Sequence, residues 1–311
     1  MSQNAQFVDD PLSDVPPGTS LRFNPTRMRA GFASSYLAPA HDLFNGAVMT
    51  IHYSTTETLQ PYGSAVMVGQ GVALTAWHVI EHAAERLRAR SLDLLVTSSA
   101  KTGLQLWFTS HITRVPGTDI AILGLKAQSK LPSDLTYQHA VISTRPPEVG
   151  EMVVLAGVRG PDAALKGFDS TSVAADLLVS QGPVVERFLG AEGRDRLILP
   201  WPTVSVDAPS LGGMSGGAAF DARGCLIGLI CRSIGNTMSD ATPTYVSMVY
   251  AALNQKFEGG WPETRPFPRT LLEEPGVDIE GDTIHYLTDP STGAREPYFV
   301  YRGTLLAPTE K

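Results

Sequence analysis

The sequence predicts a mainly β protein whose short strands fall into two groups. Three observations carry that reading. Twenty-nine glycines and 23 prolines are scattered among short apolar runs, the punctuation of strands and turns rather than of a helical bundle. The candidate strands lie on either side of a polar, Pro-containing stretch at residues 126–148 that reads as a linker. Strands and helices do not alternate in the manner of a parallel α/β sheet.

The length of 311 residues allows one large or two small domains, and 43% hydrophobic with 18% charged residues is a globular balance. A net charge of −7 without a Lys/Arg cluster argues against nucleic acid as a partner. The densest basic stretch, Arg86, Arg88 and Arg90, reads as the solvated end of a helix. The first ten residues lack the basic start and apolar run of a secretion signal, and no apolar stretch is long enough to span a membrane. Cys225 and Cys231 bracket one apolar run, and along a strand they stand about 20 Å apart at roughly 3.3 Å per residue. No disulfide joins them on that reading, and a cytoplasmic protein with reduced thiols is expected.

Residues 1–40, rich in Pro, Ser, Asn and Asp, read as an irregular leader. Gly46–Tyr53 alternates as a first strand, and Gly63–Val68 and Val72–Val79 form a hairpin about Gly69-Gln70-Gly71. Ile80–Arg90 has helical composition, so His78 falls at a strand-to-helix junction. Further strands are expected at Asp93–Val96 and Leu104–Phe108, and Asp119 opens the apolar strand Ile120–Leu125. The second group runs through Val149–Gly157, Leu177–Val179, Arg196–Leu199, Thr203–Val206, Ala218–Phe220, Leu226–Ile230 and Thr244–Val249. Tyr250–Phe257 is expected to be a short closing helix. Beyond a Pro-rich start, residues 259–311 carry a hairpin of Thr283–Leu287 and Glu296–Tyr301 about the turn Asp289–Gly293. The resulting division is 1–40 extension, 41–130 first unit, 131–258 second unit, and 259–311 C-terminal extension.

Taken singly, the chemically interesting residues have ordinary readings. His78 fits a structural histidine, Asp119 a turn residue, and Ser215, within Gly212-Gly213-Met214-Ser215-Gly216-Gly217, a loop serine. Together, in the order His, Asp, Ser and each at a strand end, they supply a base, an orienting acid and a nucleophile. The strings Leu74-Thr75-Ala76-Trp77-His78-Val79, Thr118-Asp119-Ile120-Ala121-Ile122-Leu123 and Gly212–Gly217 resemble the three signatures of the chymotrypsin-like (trypsin-like) serine proteases. The resemblance is closest to bacterial peptidases of the HtrA type and spans roughly residues 45 to 257.

The resemblance implies two six-stranded antiparallel β-barrels with the active site in the cleft between them. It implies His78, Asp119 and Ser215 as the triad, and the amides of Gly213 and Ser215 as the oxyanion hole. It also implies that Cys231, Arg232 and Ser233 pair with the substrate backbone, and that Pro209 and Thr244 bound the specificity pocket. With Pro209 at the pocket base, cleavage is expected after a small or medium uncharged residue, in a protein or peptide substrate and without a cofactor. Met214 stands where secreted trypsin-type enzymes carry an aspartate that pairs with a freshly cleaved N-terminus, so activation by that route is not expected.

Three other readings compete. The fold is also compatible with a binding module that an activating partner gates. An esterase uses the same groups, but the order Ser…Asp…His of the α/β-hydrolases is not present. His78-Val79-Ile80-Glu81-His82 has the spacing of an inverted zinc motif, yet it leaves Asp119 and Ser215 unexplained.

Overall fold

A computed structural model describes residues 7–13, 15–28, 44–54, 58–88, 93–101, 103–160, 165–166, 176–189, 202–233, 243–263, 267–281, 284–288, 295–301 and 304–306. In chain order they form β1 (Arg22–Thr26), β2 (Val48–Ser54), β3 (Thr58–Gly69), β4 (Val72–Ala76), helix α1 (Trp77–Arg88), β5 (Asp93–Ala100), β6 (Gly103–Val115), β7 (Ile120–Ala127), β8 (Thr136–Ala140), β9 (Ile142–Ser143) and β10 (Met152–Arg159). There follow β11 (Leu165–Lys166), β12 (Asp176–Phe188), β13 (Thr203–Val206), β14 (Ala218–Phe220), β15 (Leu226–Ser233), β16 (Thr244–Met248), β17 (Ile279–Glu280), β18 (Ile284–Thr288), β19 (Arg295–Tyr301) and β20 (Thr304–Leu306).

Two closed six-stranded antiparallel barrels result. The first runs β3-β2-β5-β6-β7-β4, with β4 returning to pair with β3; the second runs β14-β10-β12-β13-β16-β15, closed by β14 against β15. Closure satisfies the backbone groups that an open sheet would leave along its edges. Register shifts at Ile51/His52, Thr109/His111 and Ile230/Arg232 supply the local bends that a small barrel requires. Met49, Ile51, Met67, Leu94 and Trp107 fill the first barrel, and Leu155, Val179, Val204, Leu229 and Val246 belong to the core of the second.

Several sequence expectations change in the structure. The stretch 126–148 is no bare linker, because it contains β8 and β9. The leader contains β1, which runs parallel to β8 from Arg22↔Thr136 to Thr26↔Ala140. Such pairing answers the backbone groups of β8, and Pro25 is tolerated because this two-stranded ribbon has outer edges. The pattern of β1 is mostly exposed, so it left no alternation to read. Instead of a helix over Tyr250–Phe257 there is one 3-10 turn, Val249–Ala252. The chain leaves it through Leu253 N–H to Tyr250 C=O and turns so that Phe257 pairs with Arg269. The C-terminal hairpin forms as β18 and β19, with β20 as an added third strand. The expected strand Arg196–Leu199 and the turn Asp289–Gly293 lie outside the described residues.

Residues 258–263 and 267–281 form a strap that touches both barrels. Trp261 donates its N–H to Gln70 C=O in the first barrel's hairpin (3.2 Å), where a Cβ on Gly71 would lie 2.3 Å from the Trp261 nitrogen. Farther on, β17 lies parallel to β9, which in turn pairs with β15 of the second barrel. Buried Arg269 and Glu274 form an ion pair inside the strap.

Candidate active site

The first barrel assembles one half of the site by strand register. Ala76, the last residue of β4, is the cross-strand partner of Ile120, the first of β7. The next residue beyond each end is Trp77 on one side and Asp119 on the other, and Trp77 N–H donates to Asp119 C=O at 3.0 Å. A tight turn aims Asp119: Gly117 takes φ +72°, and the Thr118 hydroxyl donates to Val115 C=O while accepting Ile120 N–H. The Asp119 carboxylate then grips His78 at two points. Its Oδ1 accepts the His78 backbone N–H at 2.9 Å, and its Oδ2 lies 2.7 Å from His78 Nδ1. That backbone N–H sits in the first turn of α1, where the helix offers no acceptor of its own. The imidazole stays half exposed, with Nε2 facing away from the carboxylate, while the Asp119 side chain is largely covered.

The second barrel contributes the Ser215 loop, which docks against the first. Ser64 N–H on β3 donates to Ser215 C=O at 2.8 Å, and Gly216 N–H donates to Ile230 C=O at 2.7 Å. Gly216 has φ +80°, and a Cβ there would lie 2.2 Å from Ser64 C=O and 2.3 Å from Thr75 Oγ1. Only glycine permits this close approach of Ser215 to the end of β4, two residues before His78.

The turn ahead of Ser215 is closed by Met214 N–H to Leu211 C=O (3.0 Å), with Gly213 at φ +95°. A positive φ at the third residue is the type II signature; in a type I turn the Gly212–Gly213 peptide is reversed. Met214 C=O accepts Gly217 N–H at 2.9 Å, so the trans peptide points the Ser215 N–H to the opposite side. Among the described residues, no hydrogen bond uses the N–H of Gly213 or Ser215. Met214 itself is buried, and its sulfur accepts Leu211 N–H at 3.3 Å.

The remaining residues singled out in the sequence surround this loop. Pro209 C=O accepts the Ser180 hydroxyl at 2.6 Å. Thr244 is buried; its hydroxyl donates to Ala208 C=O at 2.6 Å and lies 2.9 Å from Ser210 Oγ. The Ser233 hydroxyl donates to Ser210 C=O at 3.0 Å, so Ser233 and Thr244 fasten the 208–210 segment from two strands. Cys231 is buried, its thiol donating to Tyr245 C=O, and burial with the nearby Asp119 charge pushes its pKa up. Arg232 is exposed. Pairing between β14 and β15 ends at Ala218↔Leu229, so β14 does not flank residues 231–233.

A model of the trypsin-like peptidase domain matches residues 63–229, more than half of the chain. The chain belongs to the trypsin-like peptidase family. Its class is that of a trypsin-fold serine endopeptidase. No curated protein matches this trypsin-like chain. Among solved structures it is similar to neuropsin, a serine protease expressed in the limbic system of mouse brain, at 13% identity and TM-score 0.48 over 69% of this chain and 93% of that one. It is similar to the HtrA-type protease AlgW with a decapeptide, at 19% identity and TM-score 0.47, covering 70% of this chain and 66% of that one. Deg5 aligns at 17% identity and TM-score 0.46, over 66% and 85% of the two chains.

Two other histidines of this trypsin-like peptidase are kept apart from the site. His52 is buried in β2 with Nε2 2.8 Å from Thr97 Oγ1, and burial lowers its pKa to about 3. His139 is buried with Nε2 2.7 Å from Asp278 Oδ2 of the strap. The residues that sequence reasoning missed are Ser64 and Thr75, which hold the Ser215 loop. The available signal was a serine and a threonine standing inside otherwise apolar strands.

Proposed function

We propose that this peptidase cleaves peptide bonds through an acyl-enzyme formed on Ser215. Ser215 Oγ attacks the scissile carbonyl while His78 Nε2 takes its proton. The tetrahedral oxyanion is held by the N–H groups of Gly213 and Ser215. Collapse breaks the C–N bond, and His78 returns the proton to the departing amine. Water then repeats the sequence on the acyl ester and releases the second product. Asp119 fixes the imidazole tautomer that leaves Nε2 free to accept, and it stabilises the imidazolium that forms. The observation that carries this reading is the two-point grip of Asp119 on His78, backbone N–H and Nδ1 together.

An extended protein or peptide substrate adds along Cys231–Ser233, which support this role by lying beyond the end of β14. The residue before the scissile bond is small or medium and uncharged, a preference supported by the neutral groups of Pro209, Ser210 and Thr244 around the pocket base. Buried Met214 supports a loop ordered from within, without a newly freed N-terminus.

The test is labelling of the purified chain with a fluorophosphonate probe. Labelling that is lost in Ser215→Ala and in His78→Ala is expected. Absence of labelling in the wild type, with and without protein substrate, overturns the reading in favour of a partner-gated module.

A further inference from the structure

We propose that Ser64 is a positioning residue for the oxyanion hole, setting the direction of the Ser215 amide from the opposite barrel. The inference rests on the reading of Ser215 as nucleophile. Ser64 is fully buried on β3, and each of its polar groups is engaged across the interface between the barrels or within the wall beside it. Its N–H holds Ser215 C=O at 2.8 Å. Its hydroxyl accepts Val158 N–H from β10 at 2.8 Å. The single hydroxyl proton goes to Gly213 C=O at 3.0 Å, the Val158 carbonyl being farther at 3.3 Å. Its carbonyl accepts the Thr75 hydroxyl at 2.7 Å.

These bonds control the turn because peptides are rigid planes. The Gly213–Met214 peptide is pinned at both ends, its C=O by Ser64 and its N–H by Leu211 C=O. The Ser215 N–H belongs to the Met214–Ser215 peptide, and Ser64 holds the plane on each side of it, one through Gly213 C=O and the other through Ser215 C=O. Ser64 therefore fixes the direction of the Ser215 N–H by bracketing the peptide that carries it. Gly216 lies flush against Ser64 and Thr75, and a Cβ on Gly63 would lie 2.5 Å from Val79 of α1 and 3.2 Å from Ser215 C=O.

The experiment compares Ser64→Ala and Ser64→Thr with the wild type by the second-order rate of fluorophosphonate labelling as a function of pH. The phosphoryl oxygen of the probe occupies the position of an oxyanion. Losing one oxyanion donor costs about a hundredfold or more in rate, so a misdirected Ser215 amide is expected to slow Ser64→Ala about tenfold or more. The shape of the pH profile is expected to stay unchanged, and so is the fraction of protein finally labelled. Ser64→Thr, which keeps the hydroxyl, recovers most of the rate. If Ser64→Ala labels at the wild-type rate, or loses labelled fraction in proportion to lost folded protein while its rate constant holds, the positioning role is overturned and the Ser215 reading stands. If the wild type itself does not label, both fall.

Discussion

The indole of Trp261 stands edge-on to that of Trp107, with 5.9 Å between ring centroids and an interplanar angle of 83°. One ring belongs to the C-terminal strap and the other to the core of the first barrel, and Tyr137 completes the group at 6.1 Å from Trp261 and 5.0 Å from Trp107. The strap is thus part of the hydrophobic core. Trp261→Ala is expected to destabilise the protein by about 3–5 kcal/mol, the cost of removing a buried aromatic and leaving its space. Urea unfolding with an unchanged slope checks this. A loss below about 1 kcal/mol would mean the strap only rests on the barrel.

Asp119 serves His78 twice, so its replacement has a sharp kinetic signature. Asp119→Asn is expected to keep the fold and substrate affinity while kcat falls about ten-thousandfold, the loss this kind of triad suffers when the imidazole takes the wrong tautomer. Steady-state kinetics on a cleaved peptide separates kcat from KM. A change confined to KM would remove Asp119 from the mechanism.

The pocket makes a prediction about substrates. In a peptide library, cleavage is expected after small or medium uncharged residues, because Thr244 and Ser210 bring hydroxyls and no carboxylate to the 208–210 segment. A profile dominated by Lys or Arg at that position would contradict it.

Stability should fall in mild acid through buried histidines. The pKa of His52 drops from 6.5 to about 3 by burial, so the unfolded chain binds its proton first as pH falls. Its contribution is complete above pH 6.5 and is lost progressively toward pH 3. His139 acts in the same direction, because burial outweighs the favourable bond to Asp278. Thermal melts from pH 7 to pH 4 should therefore slope downward, and His52→Gln should flatten part of that slope. An unchanged slope in the variant would assign the acid sensitivity elsewhere.

The parts of this molecule legible in the sequence are those with local cause. The Gly69-Gln70-Gly71 turn, the strand running into α1 at His78 and the strand opened by Asp119 are written in neighbouring residues. The same holds for the loop around Ser215, where positive φ at positions 213 and 216 calls for the glycines found there. What escaped depends on long-range pairing. β1 has little apolar alternation because its pairing is with β8, parallel and distant in sequence. The strap looked like a Pro-rich tail because its role depends on where Trp261 and Ile279 land. Ser64 reads as one polar residue in an apolar strand until the second barrel docks on it.

The loop that carries Ser215 belongs to one barrel, and the hydroxyl that holds its Gly213 C=O belongs to the other. Catalytic competence in this peptidase is therefore expected to be a gauge of barrel alignment. As denaturant is raised, cleavage is expected to cease while far-ultraviolet circular dichroism still reports both sheets intact, because a small slippage between the barrels reorients the Ser215 amide long before either barrel opens.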